Sequence, residues 1–170
     1  LSAPLAAAGE QLKQGVELCM AERDNMLSGR KIDVFFGDTA GQPAVARTRT
    51  QELVEREKVD VIFGPVAAFE ALAIDDYIRS AEVPILSNGG AEDLTQRQTN
   101  PWFVRAVGTS AQPNHPFGHY AFEELGYKRV ITIADDFAFG HELVAGFQRT
   151  FEEAGGEVVT KLWPPLNAPD

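Results

Sequence analysis

Cysteine is almost missing: Cys19 is the single one in 170 residues, so neither an internal disulfide nor a cysteine-based zinc cluster can form. That scarcity leaves the redox compartment open. Basic residues are few, with 15 Lys plus Arg against 25 Asp plus Glu and a formal charge of −10. Nucleic acid and anionic membrane surfaces are thereby excluded as general partners, because both need clustered Lys and Arg. No apolar run approaches the roughly 20 residues of a membrane span. Leu1 to Gly9 lacks a basic start and a long apolar stretch, so it does not read as a signal peptide. The phosphate-cradling patterns GxGxxG and GxxxxGK[ST] are absent, which argues against a nucleotide site. What is present is ordinary globular material: 44% hydrophobic and 24% charged residues, enough for one good core or two small ones.

Short β-rich runs punctuate the chain. Ile32 to Phe36 opens after the turn signal Ser28-Gly29 and closes at Gly37-Asp38. Val59 to Gly64, Val83 to Ser87, Phe103 to Val107 and Arg129 to Ala134 follow, and Glu157 to Trp163 ends at Pro164-Pro165. These runs are mostly apolar without clean alternation, as expected of strands covered on both faces in a parallel sheet. Between them lie helical patterns. Leu12, Val16, Cys19 and Met20 share one face of the first, and Pro43 to Lys58 turns Val45, Leu53 and Val54 inward. Phe69 to Ala81 carries Leu72, Ile74, Tyr77 and Ile78. Pro113 to Leu125 carries Phe117, Tyr120, Phe122 and Leu125, stopped by Gly126. His141 to Ala154 carries Leu143, Val144, Phe147 and Phe151, with Gly155-Gly156 as a left-handed terminus. Strand and helix in alternation mean βαβ units and right-handed crossovers. The fold class is α/β. The chain opens in helix material, as though an opening strand were cut away, and closes in the loop-like Leu166 to Asp170. A boundary is expected at Val107-Gly108-Thr109-Ser110, where small and polar residues interrupt the rhythm.

In open parallel sheets, ligands bind beyond the carboxyl ends of strands, where helix N-termini present free N–H groups. Three junctions fit: Gly64 to Phe69, Ser87 to Asp93, and Asp135 to Gly140. Each is also simply a βα turn that uses Gly, Pro and Asn for their backbone geometry.

The order Ala3-Pro4-Leu5-Ala6-Ala7-Ala8-Gly9, Gly37-Asp38-Thr39, Val61-Ile62-Phe63-Gly64-Pro65, Val83-Pro84-Ile85-Leu86-Ser87, Ala91-Glu92-Asp93-Leu94-Thr95 and Asp135 to Gly140 resembles the leucine/isoleucine/valine-binding protein family. Those are the type I periplasmic solute receptors of ABC importers. The resemblance implies two Rossmann-like lobes with parallel sheets, incomplete in this chain, that close around a small ligand. Residues 1–107 would form the first lobe without its opening strand, 108–110 the crossing, and 111–170 the start of the second. It implies ligand contacts from Ala67, Ala68 and Phe69, where the family presents a hydroxyl and backbone N–H groups to a carboxylate. Asn88, Gly89 and Gly90 stand where it offers a carbonyl to an ammonium and a Thr hydroxyl. Phe139 matches its covering aromatic, and Ala8 replaces another. The implied ligand is a small carboxylate, an amino acid or an aromatic acid; with two hydroxyls lost and Phe69, Phe137 and Phe139 at hand, an aromatic or otherwise bulky one is favoured. The implied partner is a membrane permease, and the implied location is the periplasm or, lipid-anchored, the outside of a Gram-positive cell. An isolated fragment would expose sheet edges and self-associate.

Other constellations read as structural. His115 and His119 have helical metal-pair spacing, but HExxH is absent and Pro116 puts His115 at a helix start. Asp135-Asp136 would cap or orient the following helix, where negative charge suits the N-terminal dipole, Asp75-Asp76 would lie on a solvated helix face, and Cys19 would act as a small hydrophobe. Trp102 and Trp163 would be packing residues. No nucleophile, oxyanion hole and adjacent histidine can be identified, so the reading is non-enzymatic and no cofactor is implied. Two alternatives remain at this level: a ligand-sensing domain of a regulator or receptor, and a small flavodoxin-like enzyme.

Overall fold

The structure is a computed structural model that describes residues 5–166; Ala3-Pro4 and the terminal Asn167 to Asp170 lie outside them. It is α/β, with two separate parallel sheets. The order is α1 (Ala6–Ala21), β1 (Met26–Leu27), β2 (Arg30–Lys31), α2 (Pro43–Gln51), β3 (Ile62–Phe63), α3 (Ala68–Ala81), β4 (Ile85–Ser87), β5 (Phe103–Arg105), α4 (His115–Glu123), β6 (Arg129–Ile133), α5 (Ala138–Glu153) and β7 (Glu157–Leu162). Strands β3, β4 and β5 form one parallel sheet in that order, and β6 pairs with β7 in parallel. Among the described residues no helix is long and apolar enough to cross a membrane.

Each sheet has its own core. Ile62, Ile85 and Phe103 from the first sheet pack with Ala68, Ala71, Ile74 and Ile78 of α3 and with Ala46 of α2. Ala121 of α4 and Phe147 and Phe151 of α5 pack on Val130 and Val158 of the second sheet. Gly155, at φ +106°, ends α5 in the left-handed geometry its sequence suggests.

Several expectations need correction. The run Ile32 to Phe36 joins no ladder; Val34, Phe35 and Phe36 are 39–49% exposed. A strand needs a partner for its N–H and C=O groups; the Ile32 N–H donates to the Asn25 carbonyl at 2.8 Å, at the end of the β1–β2 hairpin, and no strand pairs with Asp33 to Phe36 among the described residues. The Ser28-Gly29 signal instead makes the turn of the β1–β2 hairpin, both residues having positive φ, as a type I′ turn requires. Strands β6 and β7 are not covered on both faces: α4 and α5 cover the Val130 and Val158 side, and Ile131 and Ile133 on the other are 62% and 70% exposed. Helix α1 buries none of its residues, although Leu12, Val16, Cys19 and Met20 are partly covered. In α2 the buried residues are Ala46 and Thr50; Val45, and Leu53 and Val54 in the π-helical turn Glu52–Arg56 that continues it, are only partly buried.

In α4 the expected inward aromatics are largely outside: Phe117 and Tyr120 are about half exposed, and Gly118 and Ala121 are buried instead. The reason is close helix packing. A methyl group on Gly118 would overlap Thr150 Oγ1 and stand 2.5 Å from the Phe147 carbonyl oxygen on α5. Small residues let the two backbones approach, and the bulky ones are left at the margins.

Asp75 is also not on a solvated face. It is buried, whereas Asp76 is exposed. Asn100 Nδ2 donates to Asp75 Oδ1 at 2.8 Å, and Arg79 Nη2 donates to Asp75 Oδ2 at 3.3 Å. Trp102 N–H donates in turn to Asn100 Oδ1 at 3.0 Å. The pair of carboxylates therefore divides, one tying α3 to the entry of β5 and one facing water.

Candidate functional site

The three strand-end junctions are neighbours. Phe69, in the first turn of α3, meets Phe137 edge-on with ring centroids 5.9 Å apart, and Phe137 stacks on Phe139 at 5.9 Å. The first and third junctions thus share an aromatic wall. Phe69 and Phe137 are partly buried, and Phe139 is 41% exposed. The first and second junctions abut through small residues: a methyl group on Gly89 would stand 2.9 Å from Ala71 Cβ and 3.8 Å from the Ala67 carbonyl oxygen. The second junction meets α5 where Glu92 N–H donates to Glu142 Oε1 at 2.9 Å.

The individual candidates differ in what they offer. Ala67 and Ala68 are 4% and 3% exposed, so they contribute backbone rather than side chain. Helix α3 begins at Ala68 with no side-chain hydrogen bond capping it. Its first N–H groups and the positive end of its dipole therefore suit an anion. Asn88 is exposed, whereas Gly89 and Gly90 are buried. A methyl group on Gly90 would overlap Ser110 Oγ, so glycine is what lets this loop lie against the chain leading out of β5.

Ser87, 1% exposed, locks the loop. Its Oγ donates to the Pro65 carbonyl at 2.6 Å and accepts the Gly89 N–H at 2.9 Å. Ser87→Ala leaves both groups unpaired. It should cost about 1–3 kcal/mol, read as a lower urea midpoint, and should weaken ligand binding as well.

Arg105 at the end of β5 is the residue that sequence reasoning passed over. Its Nε donates to the Gly89 carbonyl at 3.0 Å, its Nη2 to the Ala91 carbonyl, and its Nη1 to Thr95 Oγ1. Burial holds its guanidinium below the ordinary arginine pKa, while Glu142 and Glu92 oppose that shift. The available signal was a charged side chain inside the short apolar run Phe103 to Val107, since arginine is seldom buried unpaired. Glu92 and Glu142 carried no such signal. Their meeting spans 50 residues of chain, and Glu92 Oε1 also accepts the Thr109 hydroxyl at 3.1 Å.

Of the two roles expected for the acidic pair at the third junction, capping is not seen, since α5 begins behind Phe137 with no side-chain cap, whereas a contact to the first turn of the helix is. Asp136 instead pairs with His141 Nε2 at 2.8 Å, and the His141 ring lies 4.0 Å from that of Trp163. The backbone at Phe137 is extended (φ −158°, ψ 171°). Gly140 allows the tight return, because a methyl group there would overlap the Asp135 carbonyl. His115 and His119 serve α4: Thr150 Oγ1 donates to the His115 carbonyl at 2.7 Å, and His119 lies 3.9 Å from Glu123.

A family model described as periplasmic binding protein matches residues 1–170. The chain belongs to that family. It is similar to Leu/Ile/Val-binding protein homolog 6 of Brucella abortus, at 29% identity over 171 residues, 99% of this chain and 43% of that protein. It is also similar to an ABC transporter substrate-binding protein from Sphaerobacter thermophilus, at 36% identity and a TM-score of 0.87, covering 100% of this chain and 47% of that one. A third relative is a solute binding protein of an ABC transporter from Rhodopseudomonas palustris, in complex with 3,4-dihydroxybenzoic acid. It is 32% identical with a TM-score of 0.91 over 99% of this chain and 46% of that one. The chain thus spans less than half the length of each of these relatives.

Proposed function

We propose that the chain is part of an extracytoplasmic solute-binding protein that captures a small organic carboxylate, an amino acid or aromatic acid, and passes it unaltered to the permease of an ABC importer. Residues 1–107 and 111–170 would belong to two lobes joined at 108–110, in line with their separate sheets and cores. The observation that carries this reading is the meeting of three strand-end junctions around Phe69, Phe137 and Phe139, beside a helix start with no side chain on its N–H groups. The Ala68 and Phe69 N–H groups would take the carboxylate, the loop of Asn88, Gly89 and Gly90 would border it, and the phenylalanines would cover its apolar part. Contacts from both lobes exist together only when they close, so ligand binding energy would drive closure. The Brucella and Rhodopseudomonas relatives support the two carboxylate classes named. The location follows the family: the periplasm, or the outer surface of a Gram-positive membrane by a lipid anchor.

The test is thermal unfolding of the intact protein with a panel of amino acids and aromatic acids. A ligand at 100 times its Kd adds about 2.7 kcal/mol, which should raise the Tm by about 5 °C or more. A panel that leaves the Tm unmoved throughout would refute the proposal.

A further inference from the structure

We propose that Glu142 is a positioning residue that couples the two lobes: carried on the second, its carboxylate holds the ligand loop of the first and favours the closed form without touching the solute. The inference rests on the two-lobe reading above and adds to it a residue outside the candidate contacts. The loop beyond β4 is tied down along its backbone. The Gly89 N–H donates to Ser87 Oγ, the Gly89 and Ala91 carbonyls accept from Arg105, and the Gly90 carbonyl accepts the Ser110 N–H at 3.0 Å. Those partners stand in β4, in β5 and in the crossing, so they belong to the first lobe or to the hinge. The Glu92 N–H differs. It donates across 50 positions of chain to Glu142 Oε1 at 2.9 Å, and Glu142 lies on α5.

Glu92 also binds the crossing, because its Oε1 accepts the Thr109 hydroxyl at 3.1 Å. One residue thereby links the ligand loop, the hinge and the second lobe. Helix α5 is seated one turn further along, where a methyl group on Gly146 would lie 2.5 Å from the Ala111 carbonyl oxygen, just past the crossing. Glu142 Oε2 is shielded from solvent and has no hydrogen-bond partner, so the Glu92 N–H is what anchors this carboxylate. Charge supports the contact: burial lowers the pKa of Arg105, and the negative charges of Glu142 and Glu92 oppose that shift, so the cation that gathers the loop also attracts Glu142. A directional bond to a charged acceptor weakens steeply once α5 swings away. The ring contact of Phe69 with Phe137 has no such directionality. A bond made only in the closed form raises its population, and the apparent affinity for solute rises in proportion.

The experiment is small-angle X-ray scattering of the intact protein with no solute added, joined to stopped-flow release of bound benzoate or leucine. Glu142→Ala should enlarge the radius of gyration, and so should Glu142→Asp, whose carboxylate falls one methylene short of the Glu92 N–H. Glu142→Gln keeps an oxygen in place and should stay nearer to wild type than to Glu142→Ala. For a probe that binds, release should quicken at least about fivefold in the alanine and aspartate variants with association unchanged. The urea midpoint should hold in all three, which separates closure from folding. A wild-type radius in Glu142→Ala and Glu142→Asp overturns the proposal, as does a glutamine variant as expanded as the alanine one. Expansion accompanied by a fallen midpoint also counts against it, by making Glu142 a support of the second lobe alone. If neither probe binds, the carboxylate reading has failed, and the scattering comparison by itself decides the role of Glu142.

Discussion

Replacing Gly118 by alanine is expected to destabilise the intact protein by about 2–3 kcal/mol, the range for overpacking a close contact. Alanine would ordinarily improve a helix interior by up to about 1 kcal/mol. Here its methyl group would overlap Thr150 Oγ1 and lie 2.5 Å from Phe147 O and 2.8 Å from Phe151 N. Two of those atoms are backbone of α5 and cannot rotate aside. Thr150 is itself held, because its hydroxyl donates to the His115 carbonyl at 2.7 Å. Helices α4 and α5 must therefore part, loosening Phe147 and Phe151, the latter 0% exposed. The measurement is urea unfolding, with the midpoint lowered and the slope unchanged. Gly15→Ala serves as the control, since nothing lies within 4 Å of a methyl group there; it should be neutral or slightly stabilising. Because α5 also carries Phe139 and Glu142, ligand affinity should fall with Gly118→Ala as well. Equal stability of the two variants would show that α4 and α5 are not packed backbone to backbone.

Replacing Asp75 by leucine should cost about 2–3 kcal/mol, and Asp75→Asn distinctly less. The Arg79 guanidinium is 41% exposed on its side chain, so that ion pair alone contributes little. The larger loss is at Asn100, 5% exposed, whose Nδ2 donates to Asp75 Oδ1 at 2.8 Å and whose Oδ1 accepts the Trp102 N–H at 3.0 Å. Leucine removes the shorter of the two acceptors of Asn100 Nδ2, leaving it the Asp75 backbone carbonyl at 3.2 Å, and strips a buried polar pair of half its bonding. Asparagine keeps an oxygen at the same place. Chemical denaturation of the two variants side by side checks the ordering, and equal losses would mean that the buried amide is not what Asp75 holds.

The strand and helix assignments that succeeded were those with a complete local signal. Ile85 to Ser87 has an apolar run bounded by Pro84 and Asn88, and Phe147 and Phe151 repeat four apart ahead of Gly155. The assignments that failed depended on partners. Ile32 to Phe36 has strand chemistry and no ladder. Phe117 and Tyr120 have core chemistry but sit outside, because Gly118 and Ala121 bring α4 closer to α5 than any aromatic could. The same holds for Asp75 and Asp76. Adjacent residues on a helix differ by about 100° in direction, and Asp75 falls on the buried side of α3 with Ile74 and Ile78, where Asn100 meets it.

For the candidate site, the sequence by itself established the α/β alternation, the three glycine-bearing junctions and the aromatics beside them, since these follow from periodicity and turn chemistry between near neighbours in the chain. Tertiary structure alone decided that Phe69 meets Phe137 across 68 positions, that Glu142 receives the Glu92 N–H, and that Arg105 draws in the loop carbonyls. The physical reason is that donors, acceptors and ring faces are pairwise and directional: their residue types can be read from composition, but which of them is already occupied depends on where the chain has brought its distant parts.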